Sequence, residues 1–171
     1  STRWAEWLND PVAVRMLNAK PRSFSQEELR DYIRAFDQTT RLLTGTFERQ
    51  SGRHIAMWTG DIIAEGRKIV LSILIGEPEF RNLGVATEIG EAIREHFFET
   101  LDFEAVVAQV LSYNTIVIAA LEHRGWSLVQ THRGAKISSR TGEPIDVLVY
   151  ELSREAWRRR EREQAAAAAA T

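Results

Sequence analysis

The sequence of 171 residues contains no cysteine. This absence excludes disulfide bonds, thiolate metal sites and a cysteine acyl-enzyme, and it is typical of an intracellular protein. An excess of charge of one sign is also lacking, since 22 basic and 24 acidic residues leave a formal net charge of −2. Such a balance gives no general basic field for binding nucleic acid. No run approaches the ~20 apolar residues of a membrane span, and no signal peptide opens the chain, so we expect a cytoplasmic protein.

The remaining composition suits one globular domain. Hydrophobic residues make up 44% of the chain and charged residues 27%, which is enough to bury an ordinary core. We assign residues 1–157 to this domain. Residues 158–171 form a charged and alanine-rich tail, for which a solvated helix end is the favoured interpretation.

The first part of the chain predicts helices. Asp10 can cap a short helix whose first position is Pro11. Ser25 and Glu28 have the spacing of a capping box. The apolar residues that follow Ser25 have helical spacing: Leu29, Tyr32, Ile33 and Phe36.

Three β-type runs come next and predict an antiparallel meander, because glycine-containing turns separate them. The runs are Arg41–Phe47, His54–Ile63 and Lys68–Ile75. Residues 69–75 of the third run are continuously apolar. This pattern suits a central strand that is covered on both faces.

The second half of the chain predicts a βαβ unit and a final strand pair. Helical spacing of apolar residues runs from Val85 to about residue 101, and a short β-branched run follows at Ala105–Leu111. Strand, helix and strand imply a right-handed crossover. Asn114 can start a further helix that Gly125 ends. The last strands are predicted at residues 126–137 and 145–152, after which Ser153 can cap a final helix.

The segment from Arg81 to Ala86, which we call the cofactor loop, joins the central strand to the long helix. The first N–H groups of a helix have no intrahelical partner and the helix dipole is positive there, so the segment can receive phosphate oxygens. Gly84 lets the backbone approach an anion closely. Arg81 is expected to add a cation at the rim.

The cofactor loop resembles the acetyl-CoA pyrophosphate loop of the GNAT N-acetyltransferase superfamily. The family pattern is Arg or Gln, two residues, Gly, one residue, and Gly or Ala, as in RNLGVA. The later segments VLSYN, at 110–114, and LEHRGW, at 121–126, are similar to the family's strand, Asn, helix and Gly-aromatic segment. The opening WLNDP and the later DVLVY resemble the branch that contains the ribosomal-protein alanine acetyltransferases.

The resemblance implies an α+β fold, an αβα sandwich. Its sheet would be mixed, mainly antiparallel, seven-stranded and twisted, with central parallel strands that splay apart. Acetyl-CoA would be the cosubstrate, with no metal. The backbone of Leu74 and Ile75 would contact the pantetheine and the thioester. The Asn114 amide would bind the pantetheine arm, and a role of Asn114 as a helix cap is an equally supported alternative. Backbone N–H groups would hold the pyrophosphate at Asn82, Leu83, Gly84, Val85, Ala86 and Thr87.

The position of the general acid departs from the family pattern. Many relatives have a tyrosine where this chain has Leu121, and others have a serine where it has Val117. Neither side chain can donate a proton. The leaving thiolate would then be protonated by water or by a neighbour such as Tyr113.

Glu77, which lies just past the central strand, is a candidate for the general base. The favoured alternative is that Glu77 is a solvated loop residue without a catalytic role. Asp61 and Asp146 are further candidates. The amine can also arrive neutral, in which case proximity to the thioester suffices. The chain's histidines have no metal-ligand spacing: His54, His96, His123 and His132.

Three functional hypotheses follow. The first is an N-acetyltransferase that acts on a small-molecule amine or a protein N-terminus by direct attack in a ternary complex. The second is a catalytically weak acyl-CoA-binding or regulatory protein. The third, a nucleotide-binding domain of another fold, is disfavoured because no Lys-Ser/Thr follows the glycine. Nucleic acid and membrane are not expected partners, and a homodimer is a candidate assembly.

Overall fold

The computed structural model describes residues 3–18, 25–63, 67–81 and 83–169 of the chain, without the side chains of 14–16. Among these residues are six α-helices and six β-strands. A 3₁₀ turn at Pro78–Phe80 and a π-helical turn at His96–Thr100 complete the regular structure. The bounds in chain order are α1 Arg3–Asn9, α2 Pro11–Met16, α3 Gln26–Arg34, β1 Arg41–Phe47, β2 His54–Ile63, β3 Lys68–Ile75, α4 Val85–Glu95, β4 Ala105–Leu111, α5 Thr115–His123, β5 Ser127–Ile137, β6 Pro144–Ser153 and α6 Arg154–Ala169.

The predicted helix caps are confirmed. Asp10 Oδ1 accepts hydrogen bonds from the N–H groups of Val12 and Ala13, both at 2.9 Å. Ser25 and Glu28 form a reciprocal capping box at the start of α3. Ser153 Oγ accepts from the N–H of Ala156 at 3.1 Å. Short polar side chains therefore fix three helix starts by satisfying donors that have no partner within the helix.

The sheet has the strand order β1-β2-β3-β4-β6-β5. Strands β1, β2 and β3 form the predicted antiparallel meander. The β3–β4 pair is parallel, as the crossover through α4 requires, while β6 pairs antiparallel with both β4 and β5. The mixed α+β class is thus confirmed. The described residues contain six strands, so the expected seventh is not confirmed, and the described start of the chain is helical from Arg3.

Two apolar cores lie on opposite faces of the sheet. Successive side chains of a strand alternate between faces, and β2 shows this directly because Met57 and Trp58 contribute to different cores. The smaller core packs α1 and α3 against one face through Trp4, Trp7 and Leu29. The larger core packs residues of α4, α5 and α6 against the other face. This arrangement is the expected αβα sandwich.

The helix after the cofactor loop departs from the prediction at its end. Regular α-helix ends at Glu95 and continues as the π-helical turn. A π turn inserts an extra residue and shifts the helical register. Phe97 and Phe98, which lie in this turn, are each only 1% exposed.

Helix α6 continues from the domain into the tail. Arg158 donates to Glu99 at 3.1 and 3.3 Å, and Arg160 Nη1 donates to the carbonyl of His123 at 2.8 Å. The boundary at residue 157 stays a prediction. None of the described helices combines the length and the apolarity that crossing a membrane requires.

Candidate functional site

A cleft opens where the two parallel strands diverge. Strands β3 and β4 pair only from Lys68 to Leu71 and from Ala105 to Ala108. Beyond this point β3 stays paired with β2 as far as Ile75, while β4 stays paired with β6 as far as Leu111. The edges that face each other therefore lose their ladder partners. Their backbone groups are available to a ligand of extended shape.

The cleft has a volume of about 600 Å³. Its walls include consecutive residues of both diverging strands, 70–74 and 108–111. Because consecutive strand residues point to opposite faces, the cleft passes between the strands and is lined from both faces of the sheet. On one face it is bordered by α4 and α5, and on the other by Thr59 and Asp61 of β2 and Lys136 of β5. One molecule can thus enter from each side.

The start of α4 borders the cleft and has the geometry of an anion site. Gly84, the N-cap, has φ +79°. A Cβ added at Gly84 would meet no atom of the described residues within 4 Å. Gly84 O accepts from the N–H groups of Thr87 and Glu88, whereas the N–H groups of Val85 and Ala86 precede these bonds and have no acceptor inside the helix. Helix-start donors that have no acceptor within the helix can bind a pyrophosphate.

The other positions of the cofactor loop differ in what the structure describes. Leu83 is 70% exposed, and Ala86 and Thr87 line the cleft. Asn82 lies outside the described residues.

The guanidinium of Arg81 is engaged by other groups of the protein, so its predicted part in cofactor binding stays a prediction. Its Nε donates to the carbonyl of Ile75 at 3.1 Å, and its Nη2 donates to the carbonyl of Gly76 at 2.8 Å. Its Nη1 donates to Asp10 at 3.2 Å, and the side chain is only 18% exposed. Arg81 therefore fastens the end of β3 to the cap of α2. The same bond occupies the Ile75 carbonyl, and Ile75, unlike Leu74, is not among the cleft-lining residues.

Arg124 is a cleft-lining cation that the sequence analysis did not single out. It lines the cleft, and its Nη2 donates to Thr87 Oγ1 at 2.8 Å across the gap between α5 and α4. Its Nη1 donates to the carbonyl of Ala120 at 3.1 Å. The sequence signal was its place directly before Gly125, which has φ +77° and ends α5. These two hydrogen bonds hold the Arg124 guanidinium beside the start of α4.

Asn114 begins α5 but does not cap it with its side chain. Its carbonyl accepts from the N–H of Ile118 at 3.1 Å, and no side-chain cap bond is formed. Asn114 lines the cleft together with Val117 and Leu121. Asn114 is therefore the N-cap residue of α5, but its amide forms no cap bond, so the binding of the pantetheine arm by this amide stays a prediction.

Glu77 is buried, so its interpretation as a solvated loop residue is wrong. Its side chain is 2% exposed, and its carboxylate accepts from Arg3 at 2.7 and 2.6 Å, from Trp7 Nε1 at 2.9 Å and from Arg53. Burial alone would raise its pKa, but the bonds from Arg3, Trp7 and Arg53 prevail and lower it. A carboxylate with a lowered pKa and occupied oxygens is a poor base. This geometry argues against Glu77 as the general base.

The remaining candidates are dispersed. Tyr113 is 42% exposed and is not among the cleft-lining side chains of the described part. Asp146 Oδ1 accepts from the N–H of Gly134 at 2.7 Å, which braces the irregular part of β5. Asp61 lines the cleft and pairs with Arg41 at 2.9 Å, with both side chains about half exposed. Of the carboxylates considered as bases, Asp61 alone borders the cleft. Within the described ranges, no three His, Asp or Glu side chains group as metal ligands do.

The divergent strands and the open helix start define a domain that can bind an extended, phosphate-bearing ligand between two strands. Residues 2–127 match the family model described as Acetyltransferase (GNAT) domain. The chain therefore belongs to the GNAT acetyltransferase family.

Solved structures share this fold at low sequence identity. The spermidine N-acetyltransferase from Vibrio cholerae, in complex with CoA and spermine, is 16% identical with a TM-score of 0.78, over 90% of this chain and 89% of that chain. A GNAT-family acetyltransferase from Bacillus anthracis is 14% identical with a TM-score of 0.72, over 88% of this chain and 87% of that chain. No curated protein matches the sequence significantly.

Proposed function

We propose that the protein is an N-acetyltransferase that moves an acetyl group from acetyl-CoA to a primary amine by direct attack in a ternary complex. The observation that carries this proposal is the open start of α4 at Gly84, placed beside the cleft between β3 and β4. Phosphate groups bind at helix starts of this kind. An extended arm belongs between strands whose facing edges are unpaired.

The cosubstrate would occupy the cleft from the α4 side. The N–H groups of Val85 and Ala86 would bind the pyrophosphate, with the other N–H groups from Asn82 to Thr87 as neighbouring candidates and with Arg124 balancing its charge. The pantetheine would lie between the unpaired edges of β3 and β4, near Leu74, and would accept a hydrogen bond from the Asn114 amide. Backbone donors supply most of this site, so it does not depend on a long motif.

The amine would enter from the opposite face, where Asp61, Thr59 and Lys136 border the cleft. Asp61 can attract an ammonium group, although its pairing with Arg41 and the nearby Lys136 limit the negative charge there. We propose a small-molecule amine as the acceptor class, with a protein N-terminus as the alternative. The spermine complex of the Vibrio cholerae neighbour makes polyamines the first compounds to test.

A calorimetric comparison tests the binding part of the proposal. Acetyl-CoA should bind much more tightly than pantetheine, because only acetyl-CoA carries the phosphates that the helix start and Arg124 attract. Equal binding of the two compounds, or no binding of either, would contradict the assignment of the cofactor loop.

An acetyl-transfer screen tests the catalytic part. Thioester consumption and amide formation should be measured with polyamines, amino sugars, aminoglycosides and N-terminal peptides. One class should give turnover that requires both substrates.

The alternative, a catalytically weak acyl-CoA-binding protein, is favoured by one observation. Val117 and Leu121, where relatives carry proton donors, line the cleft with apolar side chains. Tight acetyl-CoA binding without turnover on any amine of the panel would support this alternative.

A further inference from the structure

Two buried donors in the cleft wall form no well-aligned hydrogen bond with any described residue. They are Nη2 of Arg94, on α4, and Nε1 of Trp126, which precedes β5. Arg94 is 6% exposed and Trp126 is 7% exposed, and both residues line the cleft. No group in the described part of the chain accepts from either atom. Buried donors are nearly always satisfied in native proteins, so their shared location indicates a ligand that accepts hydrogen bonds.

Local packing holds the Arg94 guanidinium inside the domain. A Cβ added at Gly90, one helical turn earlier, would lie 2.8 Å from Arg94 Nη1, so glycine at position 90 provides the space. The guanidinium carbon lies 6.0 Å from the centre of the Trp126 ring. Nη2 is 2.6 Å from Glu91 Oε1, but the two groups are not aligned as a hydrogen bond. The Glu91 side chain is about half exposed, whereas the Arg94 side chain is buried.

The position of Arg94 along α4 selects the part of the cosubstrate that it can face. Arg94 is nine residues beyond Val85, which corresponds to about 14 Å along the helix axis. This is too far into the cleft for the pyrophosphate at the helix start. The arm of acetyl-CoA that extends from the phosphates ends in the thioester. Arg94 therefore belongs to the acyl end of the site.

We propose that Arg94 donates a charge-assisted hydrogen bond to the sulfur of acetyl-CoA and stabilises the thiolate as it leaves. This inference rests on the proposed function. Leu121 and Val117, the positions at which relatives carry a proton donor, line the same cleft and cannot donate. A cation in this wall can perform the task of the missing acid without losing its own proton.

The reaction then balances simply. The amine nitrogen forms a bond to the acetyl carbon, the carbon–sulfur bond breaks, and the sulfur leaves with the electron pair. The proton lost by the amine passes to solvent. The thiolate, held by Arg94, takes its proton from water after transfer.

The test measures the thiol of bound CoA and needs no acceptor amine. Ultraviolet absorbance of the thiolate is followed against pH for CoA that is free and for CoA that saturates the protein. A free thiol titrates near ~8.5. An adjacent cation should lower the pKa of the bound thiol by about 1 to 3 units. In the Arg94→Gln protein, the bound thiol should titrate at or above the free value.

Matched variants separate this role from a structural one. Arg94→Lys keeps the charge with fewer donors, so its thiol pKa should fall between the values for wild type and Arg94→Gln. Glu91→Gln removes the ion-pair partner and leaves Arg94 charged. The thiol pKa in the Glu91→Gln protein should be as low as in wild type or lower. If Arg94 served only to pair with Glu91, Glu91→Gln would instead reproduce the effect of Arg94→Gln.

Two results would overturn the inference. One is a wild-type bound thiol that titrates at the free value. The other is a Glu91→Gln protein that matches Arg94→Gln in its thiol pKa. Both can be observed while CoA still binds, so they leave the proposed function standing. Failure of CoA to bind wild-type protein in calorimetry would instead contradict the proposed function. If Arg94→Gln does not fold, the wild-type, Arg94→Lys and Glu91→Gln titrations decide.

Discussion

Replacement of Gly84 by aspartate should remove acetyl-CoA binding while the domain stays folded. Gly84 has φ +79°, a conformation that costs most residues about 1–2 kcal/mol. Aspartate tolerates this conformation better than most residues, and a carboxylate at a helix start is itself stabilising. Among the described residues no atom lies within 4 Å of the added Cβ, so none of them clashes with that Cβ. The free energy of unfolding should therefore change by no more than about 1–2 kcal/mol.

The effect on binding should be much larger. The new carboxylate would lie in the space that we assign to the pyrophosphate. Two like charges 4 Å apart repel by about 4 kcal/mol at an effective dielectric constant of 20. Salt screening at this exposed rim reduces that energy. An affinity loss of about 10²-fold is the expected result.

Gly142 provides a matched control. It has φ +74°, and no atom in the described ranges lies within 4 Å of an added Cβ, but it lies in the turn between β5 and β6. Gly142→Asp should have a similar effect on thermal stability and leave acetyl-CoA affinity unchanged. Calorimetry and thermal denaturation of both variants make the comparison. A folded Gly84→Asp protein that keeps wild-type affinity would refute the assignment of the pyrophosphate site.

Four further predictions concern individual side chains and the reaction. Arg124→Gln should weaken acetyl-CoA binding about tenfold in calorimetry, because a charge-assisted contact to phosphate is lost; unchanged affinity would show that Arg124 only orders Thr87. Glu77→Gln should lower the free energy of unfolding by about 1–3 kcal/mol and should reduce the loss of stability that wild type shows below pH ~4.5 in denaturant titrations. The reason is that a carboxyl with a lowered pKa stabilises the fold above its unfolded pKa, and this stabilisation is lost as pH falls through the folded pKa. A large loss of kcat at unchanged stability would instead support Glu77 as the general base. Activity should rise with pH toward the amine pKa, near ~10 for a lysine-like amine, and Tyr113→Phe should cost less than about 10²-fold in kcat; a larger loss would identify Tyr113 as the principal acid.

Regular structure was predictable where local patterns were strong. The bounds of β1, β2 and β3 follow from apolar runs that end at glycine-containing turns. The capping box at Ser25 and the cap at Asp10 follow from residue type and spacing alone. In these segments, local preference and tertiary packing favour the same conformation.

Side-chain roles at the site were harder to predict, because distant residues decide them. Glu77 lies next to the central strand, but its partner Arg3 is 74 residues away in sequence. Arg81 occupies the first position of a phosphate-binding pattern, and carbonyls at the end of β3 hold its guanidinium instead. The backbone part of the motif was readable because Gly84 and the helix start are local features.

The burial of Arg94 was difficult to predict for a related reason. Arg94 follows directly after Ile93 of the apolar face of α4, where a charged residue usually reaches solvent. The available signal was Gly90, four residues earlier, because a glycine inside a helix often marks close packing. Only the three-dimensional arrangement shows that this space contains the Arg94 guanidinium.

A crystal structure with bound acetyl-CoA tests the central claim most directly. The account predicts pyrophosphate oxygens about 2.7–3.2 Å from the backbone nitrogens of Val85 and Ala86. It also predicts that the pantetheine arm lies between residues 72–74 of β3 and 109–111 of β4. Acetyl-CoA bound at any other surface, with the cleft between these strands unoccupied at saturating concentration, would contradict it.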